Sequence, residues 1–230
     1  MAGSNGLLAQ LPPQDITRLA AFTRIEHPPQ GRILTSAADP GGEVWFPHEG
    51  AIALITTDAS GRSVQTGMVG NEGCVGLESL FGGRRAVADA VIQLEGAMSV
   101  IAATDLRAVV QARPQIQLAL SKFLHGLLTQ SLQTIACNRL HSLLSRGCRW
   151  LLTMHYKCST DDLPVTQENL ATLLGGGRPR VNLLLATLER DGMLQRYRGR
   201  IRVLTRAGLQ RHACECYDLI RNDSASLLNI

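Results

Sequence analysis

The sequence has 230 residues, of which 45% are hydrophobic, 4% aromatic and 18% charged, and its formal net charge at pH 7 is +4. This length exceeds that of a usual single domain and predicts two domains of unequal size. No apolar run approaches the ~20 residues of a membrane-spanning helix, and the first residues lack the charged-then-apolar order of a secretion signal, so we expect a cytoplasmic protein that contacts no membrane.

The N-terminal half of the chain has first a helical and then a β-type pattern. Residues 7–22 have the apolar spacing of a short amphipathic helix, interrupted by two consecutive prolines. Five short β-type runs separated by glycines follow, at residues 44–46, 51–57, 63–69, 86–94 and 97–102. Short strands at nearly regular spacing predict a sandwich or barrel. Thr104 and Asp105 then predict the cap of a short helix that ends near Val110.

A long helical pattern begins at Pro114 and extends to about Ala136, and a further one covers residues 138–156. The apolar residues of the long helix form two lines, which are Ile116, Leu120, Phe123 and Leu127, and Leu124, Leu128, Leu132 and Ile135. Because a two-sided helix needs two partners, we expect one line to cover the β-type domain and the other to meet the same helix of a second subunit, with Gly126 allowing close approach. The predicted dimer contacts are Phe123, Leu124, Leu127, Leu128, Ser131 and Ile135. A buried helix within one subunit is the alternative interpretation.

Two short helical patterns follow in the C-terminal third of the chain. The first has Thr166 as its N-cap and ends at three consecutive glycines, residues 175–177. The second begins near Arg178, with Pro179 in an early position where the missing N–H is harmless. Two such helices joined by a glycine turn predict a helix-turn-helix.

Residues 194–204 alternate like a two-stranded hairpin, which predicts a wing after the second helix. Four arginines occupy every second position, namely Arg196, Arg198, Arg200 and Arg202, so we expect them to share one face, opposite Tyr197 and Ile201. Residues 178–211 hold nine arginines and two carboxylates, a local charge of +7. Positive charge concentrated in this way indicates binding to an anionic polymer, whereas an ordinary solvated strand face is the alternative for the arginine row.

This order of parts resembles the Crp/Fnr family of bacterial transcription regulators. The most specific similarity lies in residues 165–175 and 178–192, which match the two helices of that family and the turn between them, and in residues 73–81. The resemblance implies an α+β fold with an N-terminal antiparallel, jelly-roll-like β-roll that senses a signal, a long dimerisation helix and a C-terminal winged helix-turn-helix. We expect these parts at residues 1–112, 113–136 and 137–230.

The resemblance also implies a homodimer that binds a near-palindromic site in double-stranded DNA and has RNA polymerase as a further partner. Arg178 stands where the family usually places a base-contacting arginine, whereas Pro179 and Leu183 replace polar residues of relatives. Arg178 and Arg180 are cations at the positive end of the helix macrodipole, which costs roughly 0.3–1 kcal/mol each when they are exposed. Two cations at this position are understandable if DNA supplies an anion. The predicted DNA contacts are Thr166, Gln167, Arg178, Arg180, Asn182, Arg196, Arg198, Arg200 and Arg202.

The segment that binds cyclic nucleotides in relatives is altered in this sequence. Those relatives resemble Gly-Glu-Leu-Gly-Leu-Phe followed by Arg-Ser, where the glutamate binds the ribose and the arginine the cyclic phosphate. Here residues 76–81 read Gly-Leu-Glu-Ser-Leu-Phe, and Val-Ala replaces Arg-Ser. Since an apolar pocket does not neutralise a buried phosphate, we expect an altered or vestigial site. Its residues are Gly76, Leu77, Glu78, Ser79, Arg84, Arg85, Val87 and Ala88, and a loop shift that lets Arg84 or Arg85 substitute is the alternative.

The six cysteines and six histidines suggest no cofactor. Iron-sulfur members of the family have several cysteines near the N-terminus, whereas the first cysteine here is Cys74. Cys214 and Cys216 would point apart on a helix and have no complementary pair, so we expect reduced structural thiols and no bound metal. We therefore do not expect the protein to bind cyclic AMP, an iron-sulfur cluster or haem. Redox sensing by the Cys74 thiol is an alternative that the sequence leaves open.

Two other classes of function compete with a DNA-binding regulator. A cupin-type enzyme needs clustered histidines and a carboxylate, but only His27 and His48 lie in the β-type region, and no nucleophile-elbow, phosphate-loop or zinc-protease motif is present. We therefore expect no enzymatic activity. The second alternative is a β-roll interaction protein whose C-terminal module docks a protein partner, and the local charge of +7 disfavours it.

Overall fold

The computed structural model describes residues 5–38, 41–83, 85–158 and 160–228, with side chains through residue 222. The chain divides into two compact units, of which the first comprises residues 1–56, 67–129 and 223–230 and the second residues 57–66 and 130–222. The helices are α1 (Gly6–Ala9), α2 (Pro13–Ala20), α3 (Ala103–Ala112), α4 (Pro114–Leu140), α5 (Leu143–Lys157), α6 (Gln167–Leu174), α7 (Arg178–Arg190), α8 (Arg206–His212) and α9 (Cys216–Leu228). The strands are β1 (Thr23–Glu26), β2 (Ile33–Thr35), β3 (Glu43–Pro47), β4 (Ala51–Thr57), β5 (Ser63–Val69), β6 (Asp89–Leu94), β7 (Met98–Ala102), β8 (Asp162–Leu163), β9 (Leu194–Tyr197) and β10 (Arg200–Val203).

Two antiparallel sheets form the framework of the first unit. One has the strand order β1-β7-β3 and the other β2-β6-β4-β5. Their inward side chains, among them Trp45, Phe46, Ile92 and Ile101, are almost fully buried and form one apolar core with residues of α1, α2, α3 and α4. The predicted α+β class with N-terminal antiparallel sheets is confirmed.

The short N-terminal helices are joined to the first unit by buried polar contacts. Asn5 caps α1 by accepting a hydrogen bond from the Leu8 N–H, and its amide group donates to the carbonyl oxygens of Pro47 and Gly73 at 2.7 and 2.8 Å. Asp15 on α2 pairs with Arg113, whose Nε lies 2.6 Å from Oδ1. The predicted single helix over residues 7–22 is thus two helices, because Pro12 and Pro13 end the first and begin the second.

The structure adds strands that the sequence patterns did not indicate and shifts the start of another. Strands β1 and β2 have too few apolar residues to give a β-type pattern, and pairing with β7 and β6 specifies them instead. Strand β6 begins at Asp89 rather than at residue 86. The first helix after the sheets begins at Ala103, so the prediction of Thr104 and Asp105 as its cap was wrong, and both residues lie within its first turn.

Helix α4 is longer than predicted and ends at Leu140, and the next helix begins only at Leu143. The Ser142 hydroxyl accepts a hydrogen bond from the Ser145 N–H at 3.1 Å and thereby caps α5. The predicted helix start at residue 138 was therefore wrong, because a serine cap separates two helices within an uninterrupted apolar pattern. No helix among the described ranges combines the length and apolar character needed to cross a bilayer.

The second unit contains α5 to α8 and a three-stranded sheet of order β8-β10-β9. Its core includes Trp150, Leu151, Leu170, Leu185 and Leu209, and each of these side chains is buried. The end of the β4–β5 hairpin belongs to this unit, where the Trp150 indole N–H donates to Gln65 Oε1 at 2.8 Å. Helix α6, the following turn, α7 and the β9–β10 wing thus share one packed framework.

Candidate functional site

The segment from the start of α6 to the start of α7 is built from a threonine cap and two glycines with positive φ. The Thr166 hydroxyl accepts a hydrogen bond from the Asn169 N–H at 3.1 Å, as its predicted role as N-cap requires. Gly175 ends α6 with φ of +59°, and Gly177 precedes α7 with φ of +64°. Because side chains with a Cβ disfavour positive φ, these glycines let the chain turn within three residues. The predicted helix-turn-helix is confirmed.

The first turn of α7 carries the two predicted cations. Arg178 is 72% exposed, and its Nη2 pairs with Glu168 Oε1 on α6. Arg180 is exposed and its Nε donates to the Gly176 carbonyl oxygen at 3.1 Å. Gln167 is an exposed residue at the start of α6, whereas the Thr166 hydroxyl is already engaged as the cap.

Helix α7 divides into a buried and an exposed face. Val181, Leu184, Leu185 and Leu188 are buried in the core of the second unit, as the spacing predicts. On the opposite side Pro179, Asn182 and Leu183 are exposed, and Leu183 is 70% exposed. An exposed leucine beside two cations gives this face both apolar and positively charged contacts.

The register of the wing contradicts the predicted row of four arginines on one face. In the antiparallel pairing Tyr197 lies opposite Arg200 and Arg196 lies opposite Ile201. Directly paired residues point to the same side of a sheet, so Arg200 and Arg202 share a face with Tyr197, and Arg196 lies on the other face. The prediction was wrong because the turn of two residues pairs Tyr197 with Arg200. The odd-numbered residues of β9 therefore share a face with the even-numbered residues of β10.

Each wing arginine has a different environment. Arg196 is held by Glu189, with Nε 2.7 Å from Oε2, and its Nη1 donates to Asn182 Oδ1 at 2.9 Å. Arg202 is held by Asp162, with Nη2 2.6 Å from Oδ2. Arg200 lies with its guanidinium carbon 4.9 Å from the centre of the Tyr197 ring, and its Nε is 3.7 Å from Asp162 Oδ1. Arg198 occupies the exposed turn and has no ion pair within the part of the chain that the structure describes.

The ion pairs of the wing shift the ionisation of their carboxylates. Hydrogen bonds from Arg196 lower the pKa of Glu189, and the hydrogen bond from Arg202 lowers the pKa of Asp162. Both carboxylates therefore stay charged well into the acidic range and hold these two arginines. Arg198 is the wing cation that no carboxylate of the described residues holds, and Arg200 is held only by its longer contact with Asp162.

The segment that resembles a nucleotide-binding motif forms a 3-10 turn at Leu77–Phe81. Gly76 precedes it with φ of +89°, and a Cβ at this position would lie 2.2 Å from the Glu43 carbonyl oxygen, so only glycine fits. Leu77 is buried and Ser79 is half-buried, with its carbonyl oxygen accepting a hydrogen bond from Arg107. Glu78 Oε1 accepts a hydrogen bond from the Val87 N–H at 3.3 Å, so its carboxylate is engaged with the loop.

The positions expected to replace the phosphate-binding residues offer no cation. Val87 is exposed, Ala88 is buried, and neither side chain can form a hydrogen bond. Arg85 is exposed, and Arg84 lies outside the described residues. Cys74 is buried close to this segment, and burial together with the charge of Glu78 raises the pKa of its thiol, which disfavours a reactive thiolate.

The apolar lines of α4 differ in exposure. Ile116, Leu120 and Phe123 are buried in the core of the first unit, where the Phe123 ring fills the space beside Gly73. Leu124, Leu127 and Ser131 are half-buried. An exposed stripe on α4, defined here as Leu128, Leu132 and Ile135, is 57–61% exposed. Phe123 was predicted as a dimer contact, but its side chain is occupied within the first unit.

The structure also gathers four residues that were not predicted to meet. Ligand atoms of Cys137, His141, Cys214 and Cys216 all lie within 4.8 Å of one another. The expectation that Cys214 and Cys216 point apart was wrong, because Cys214 precedes α9 and only Cys216 belongs to it. The hydrogen bond between the Cys214 and Cys137 thiols and the positive charge of Arg149 lower the pKa of Cys137. In the sequence, only the four-residue spacing of Cys137 and His141 could have indicated that these side chains lie close together.

Comparison with known sequences identifies both parts of the chain. Residues 25–113 match the cyclic nucleotide-binding domain, and residues 145–212 match the Crp-like helix-turn-helix domain. Together these matches span more than half of the chain. A search of curated proteins finds no match to this sequence.

Several solved structures have a similar fold. FixK2 from Bradyrhizobium japonicum is 16% identical with a TM-score of 0.70, covering 84% of this chain and 98% of that one. The c-di-GMP-responsive global regulator CLP of Xanthomonas campestris is 19% identical with a TM-score of 0.69, covering 84% and 99%. A Crp/Fnr-family transcriptional regulator from Thermus thermophilus, TTHA1359, is 20% identical with a TM-score of 0.69, covering 83% and 98%.

The family matches fit the geometry of the two units. A winged helix-turn-helix with cations in the first turn of its second helix follows a domain of two antiparallel sheets and a long helix. Because this family consists of transcription regulators and not of enzymes, the cupin alternative is set aside. The chain belongs to the Crp/Fnr family of DNA-binding transcription regulators.

Proposed function

We propose that the protein acts in the cytoplasm as a homodimer that binds a near-palindromic operator and responds to an intracellular signal. The observation that carries this proposal is the exposed first turn of α7, where Arg178 and Arg180 oppose the helix dipole. A phosphate or a guanine edge relieves this unfavourable arrangement. RNA polymerase is a proposed further partner.

Helix α7 is the proposed reader of the major groove. Arg178 has the reach and the planar fork for a bidentate contact with guanine once it leaves Glu168. Leu183 and Pro179 provide an apolar surface suited to the 5-methyl group of thymine. Arg180 and Asn182 flank this surface, and Gln167 at the start of α6 suits a phosphate contact. Base readout therefore depends on one cation combined with apolar contacts.

The wing is the proposed phosphate contact. Arg198 faces solvent at the turn, and Arg200 is 50% exposed with only a long ion pair of 3.7 Å to Asp162, whereas Arg196 and Arg202 are held by shorter contacts with carboxylates of the same unit. Phosphate contacts fix the position of a protein on the duplex without reading sequence. We therefore assign Arg198 and Arg200 to affinity, and Arg196 and Arg202 to support of the wing.

The exposed stripe on α4 is the proposed subunit contact. Three large apolar side chains on one helix face are exposed in a single chain, and pairing with the same helix of a second copy would bury them. A two-fold dimer would present two α7 helices to half-sites about 34 Å apart. Near-palindromic operators reflect this symmetry.

The signal is proposed to differ from cyclic AMP. The side chains at Val87 and Ala88 cannot neutralise a phosphate, and the Glu78 carboxylate already accepts a backbone hydrogen bond. Calorimetric titration of the purified protein with cyclic AMP and with cyclic di-GMP tests this point. We expect no heat of binding with cyclic AMP, and micromolar affinity for it would contradict the proposal.

The division between base and phosphate contacts is tested with two variants. Genomic fragments bound by the protein first provide the operator, and binding is then measured by fluorescence anisotropy at several salt concentrations. Arg178→Ala should reduce the preference for the operator over random DNA by about 5- to 150-fold. Arg198→Ala should weaken binding to both DNAs equally and lower the salt slope by about 1.

Arg18→Ala is the matched control, because it removes the same charge from an exposed site on α2 in the first unit. It should change neither the preference nor the salt slope. An equal loss of preference in the Arg178 and Arg198 variants would contradict the assignment. DNA binding that does not depend on salt would contradict the assignment of the wing to phosphate contacts.

A further inference from the structure

A compact group of three cysteines and one histidine lies in the second unit and includes none of the residues assigned to DNA. Cys137 Sγ lies 3.5 Å from Cys214 Sγ, and Cys216 Sγ lies 3.5 Å from His141 Nδ1. The three cysteines form a small buried core of their own, and His141 is half-buried beside them. These residue types in this number are the ligand set of a structural Cys3His zinc site.

The group is formed from two pairs of residues that are distant in sequence. Cys137 lies in the last turn of α4, and His141 directly follows the helix and donates its backbone N–H to the Cys137 carbonyl oxygen at 3.1 Å, so the two side chains lie on one side of the chain. Cys214 lies in the non-helical link after α8, and Cys216 is the first residue of α9. Because the backbone is not helical between them, both thiols turn toward the end of α4.

The separations within the group suit a single metal ion. Tetrahedral coordination with Zn–S bonds of about 2.3 Å and Zn–N bonds of about 2.0 Å places ligand atoms roughly 3.5–3.8 Å apart. The separations of 3.5 Å between Cys137 and Cys214 and between Cys216 and His141 agree with this value, and the remaining ones do not exceed 4.8 Å. A two-iron cluster distributes its ligands over two metal ions and would need a wider arrangement.

The surroundings of His141 match those of a metal-bound histidine. Its Nε2 lies 3.2 Å from Glu215 Oε1, while its Nδ1 faces the cysteines. A carboxylate that accepts a hydrogen bond from Nε2–H leaves Nδ1 unprotonated and directed at the metal, and such a carboxylate is the usual outer partner of zinc-binding histidines. A purely structural group of thiols has no need for this arrangement.

Nearby cations balance the charge that such a site would carry. Three thiolates and one divalent ion leave a net charge of −1. Arg146 and Arg149 on α5 have half-buried side chains, and their Nε atoms have no hydrogen-bond partner among the described residues. Both guanidinium groups interact electrostatically with Cys137. The two guanidinium groups would therefore offset the negative charge of a zinc-thiolate centre.

We propose that Cys137, His141, Cys214 and Cys216 bind one zinc ion in tetrahedral coordination. The ion would connect the end of α4 to the link before α9 and close a loop that contains the complete winged helix-turn-helix, residues 142–213. A metal clip that closes a long loop reduces the conformational freedom of the unfolded chain. Zinc would therefore stabilise the DNA-binding unit without contacting DNA.

The test uses the full-length protein, purified under reducing conditions, and has a spectroscopic readout. Metal content is measured by mass spectrometry, and the metal-free protein is titrated with Co²⁺. We expect one zinc ion per chain and, with Co²⁺, a thiolate-to-metal charge-transfer band together with the intense visible bands of tetrahedral cobalt. Zinc should displace cobalt and raise the melting temperature.

Two variants and one control locate the site. Cys214→Ser should remove the charge-transfer band or reduce it and lower the affinity for Co²⁺ by at least about tenfold. Glu215→Gln should keep the tetrahedral spectrum but weaken the affinity by roughly 10- to 100-fold, as expected for an outer partner of a ligating histidine. Cys148→Ser is the control, because Cys148 is equally buried on α5 in the same unit but outside the group, and it should leave the spectrum unchanged.

If Cys214→Ser folds poorly, Glu215→Gln still tests the site, because it changes only an exposed carboxylate and should leave the fold intact. A normal cobalt spectrum in Cys214→Ser, or its loss in Cys148→Ser, would overturn the proposal. It would also be overturned by metal-free protein that takes up no Co²⁺ while fully reduced, or by iron and sulfide in the purified protein. DNA binding is not part of this test, so its result is independent of the proposed operator function.

Discussion

Arg196 Nη1 donates a hydrogen bond to Asn182 Oδ1 at 2.9 Å and so joins the wing to the exposed face of α7. The same guanidinium group is held by Glu189, which also accepts a hydrogen bond from the Arg196 backbone N–H at 2.9 Å. One of the two acceptor positions of Asn182 Oδ1 is therefore occupied by Arg196, and the amide hydrogens stay available for DNA. A bidentate contact of Asn182 with adenine uses both its oxygen and its amide group, so Arg196 would share the Asn182 oxygen with the base.

Arg196→Gln should destabilise the second unit and also weaken DNA binding, because the wing loses its attachment to α7. Charge-assisted hydrogen bonds contribute about 1.5–3 kcal/mol when buried, and partial exposure reduces the expected loss to about 1 kcal/mol. The measurement is the urea midpoint of unfolding together with DNA affinity. Arg198→Ala should weaken DNA binding with an unchanged midpoint, and similar midpoints for both variants would contradict a supporting role of Arg196.

Glu168→Gln should strengthen binding to all DNA several-fold at low salt, because it releases Arg178 and removes a negative charge that faces the phosphates. The stability should change by less than about 0.5 kcal/mol, since both partners of this ion pair are exposed. Anisotropy titrations with operator and random DNA measure the effect. Asp191→Asn is the matched control, because it removes the same charge and an ion pair with Arg190 at the opposite end of α7. An equal gain in both variants would contradict the proposed orientation of α7.

Leu132→Glu should convert the proposed dimer to a monomer at micromolar concentration, because the variant places a charge in each half of an apolar contact. Sedimentation velocity measures the mass of the particle in solution. Ile33→Glu is the control, because Ile33 is exposed to the same degree as Leu132 but lies on strand β2 and not on α4. Loss of the dimer in both variants, or in neither, would show that the exposed stripe is not the subunit contact.

The pair of Asp162 and Arg202 should make a pH-dependent contribution to stability. The hydrogen bond from Arg202 lowers the folded-state pKa of Asp162 below its unfolded value of about 3.9. The contribution is therefore complete above the unfolded pKa and is lost as the pH falls through the folded pKa. Asp162→Asn should be less stable than the native protein at pH 7 and equally stable once the native aspartate is protonated. A stability difference that does not shrink on acidification, measured by denaturant unfolding, would contradict this linkage.

Local patterns were sufficient for most helices and strands of this protein. The N-cap at Thr166, the glycine turn and the apolar spacing of α7 depend only on neighbouring residues, and the structure places each as predicted. Strands β4 and β5 have the predicted bounds because the turn-forming segment 58–62 separates two runs rich in apolar and β-branched residues. Strands β1 and β2 escaped prediction because their pairing partners, and not their own residues, specify them.

Two features of the functional surface depended on the register between strands and on the path of the chain. Arg196 and Arg200 lie on opposite faces because Tyr197 pairs with Arg200 across a two-residue turn, and the spacing of arginines along the sequence carries no information on that register. Cys137 meets Cys214 only after the chain has folded through the intervening 76 residues. The sequence by itself determined the family, the helix-turn-helix and its charge, because these follow from local spacing and composition. The tertiary structure decided which arginines remain available to DNA and which cysteines converge, because both depend on long-range packing.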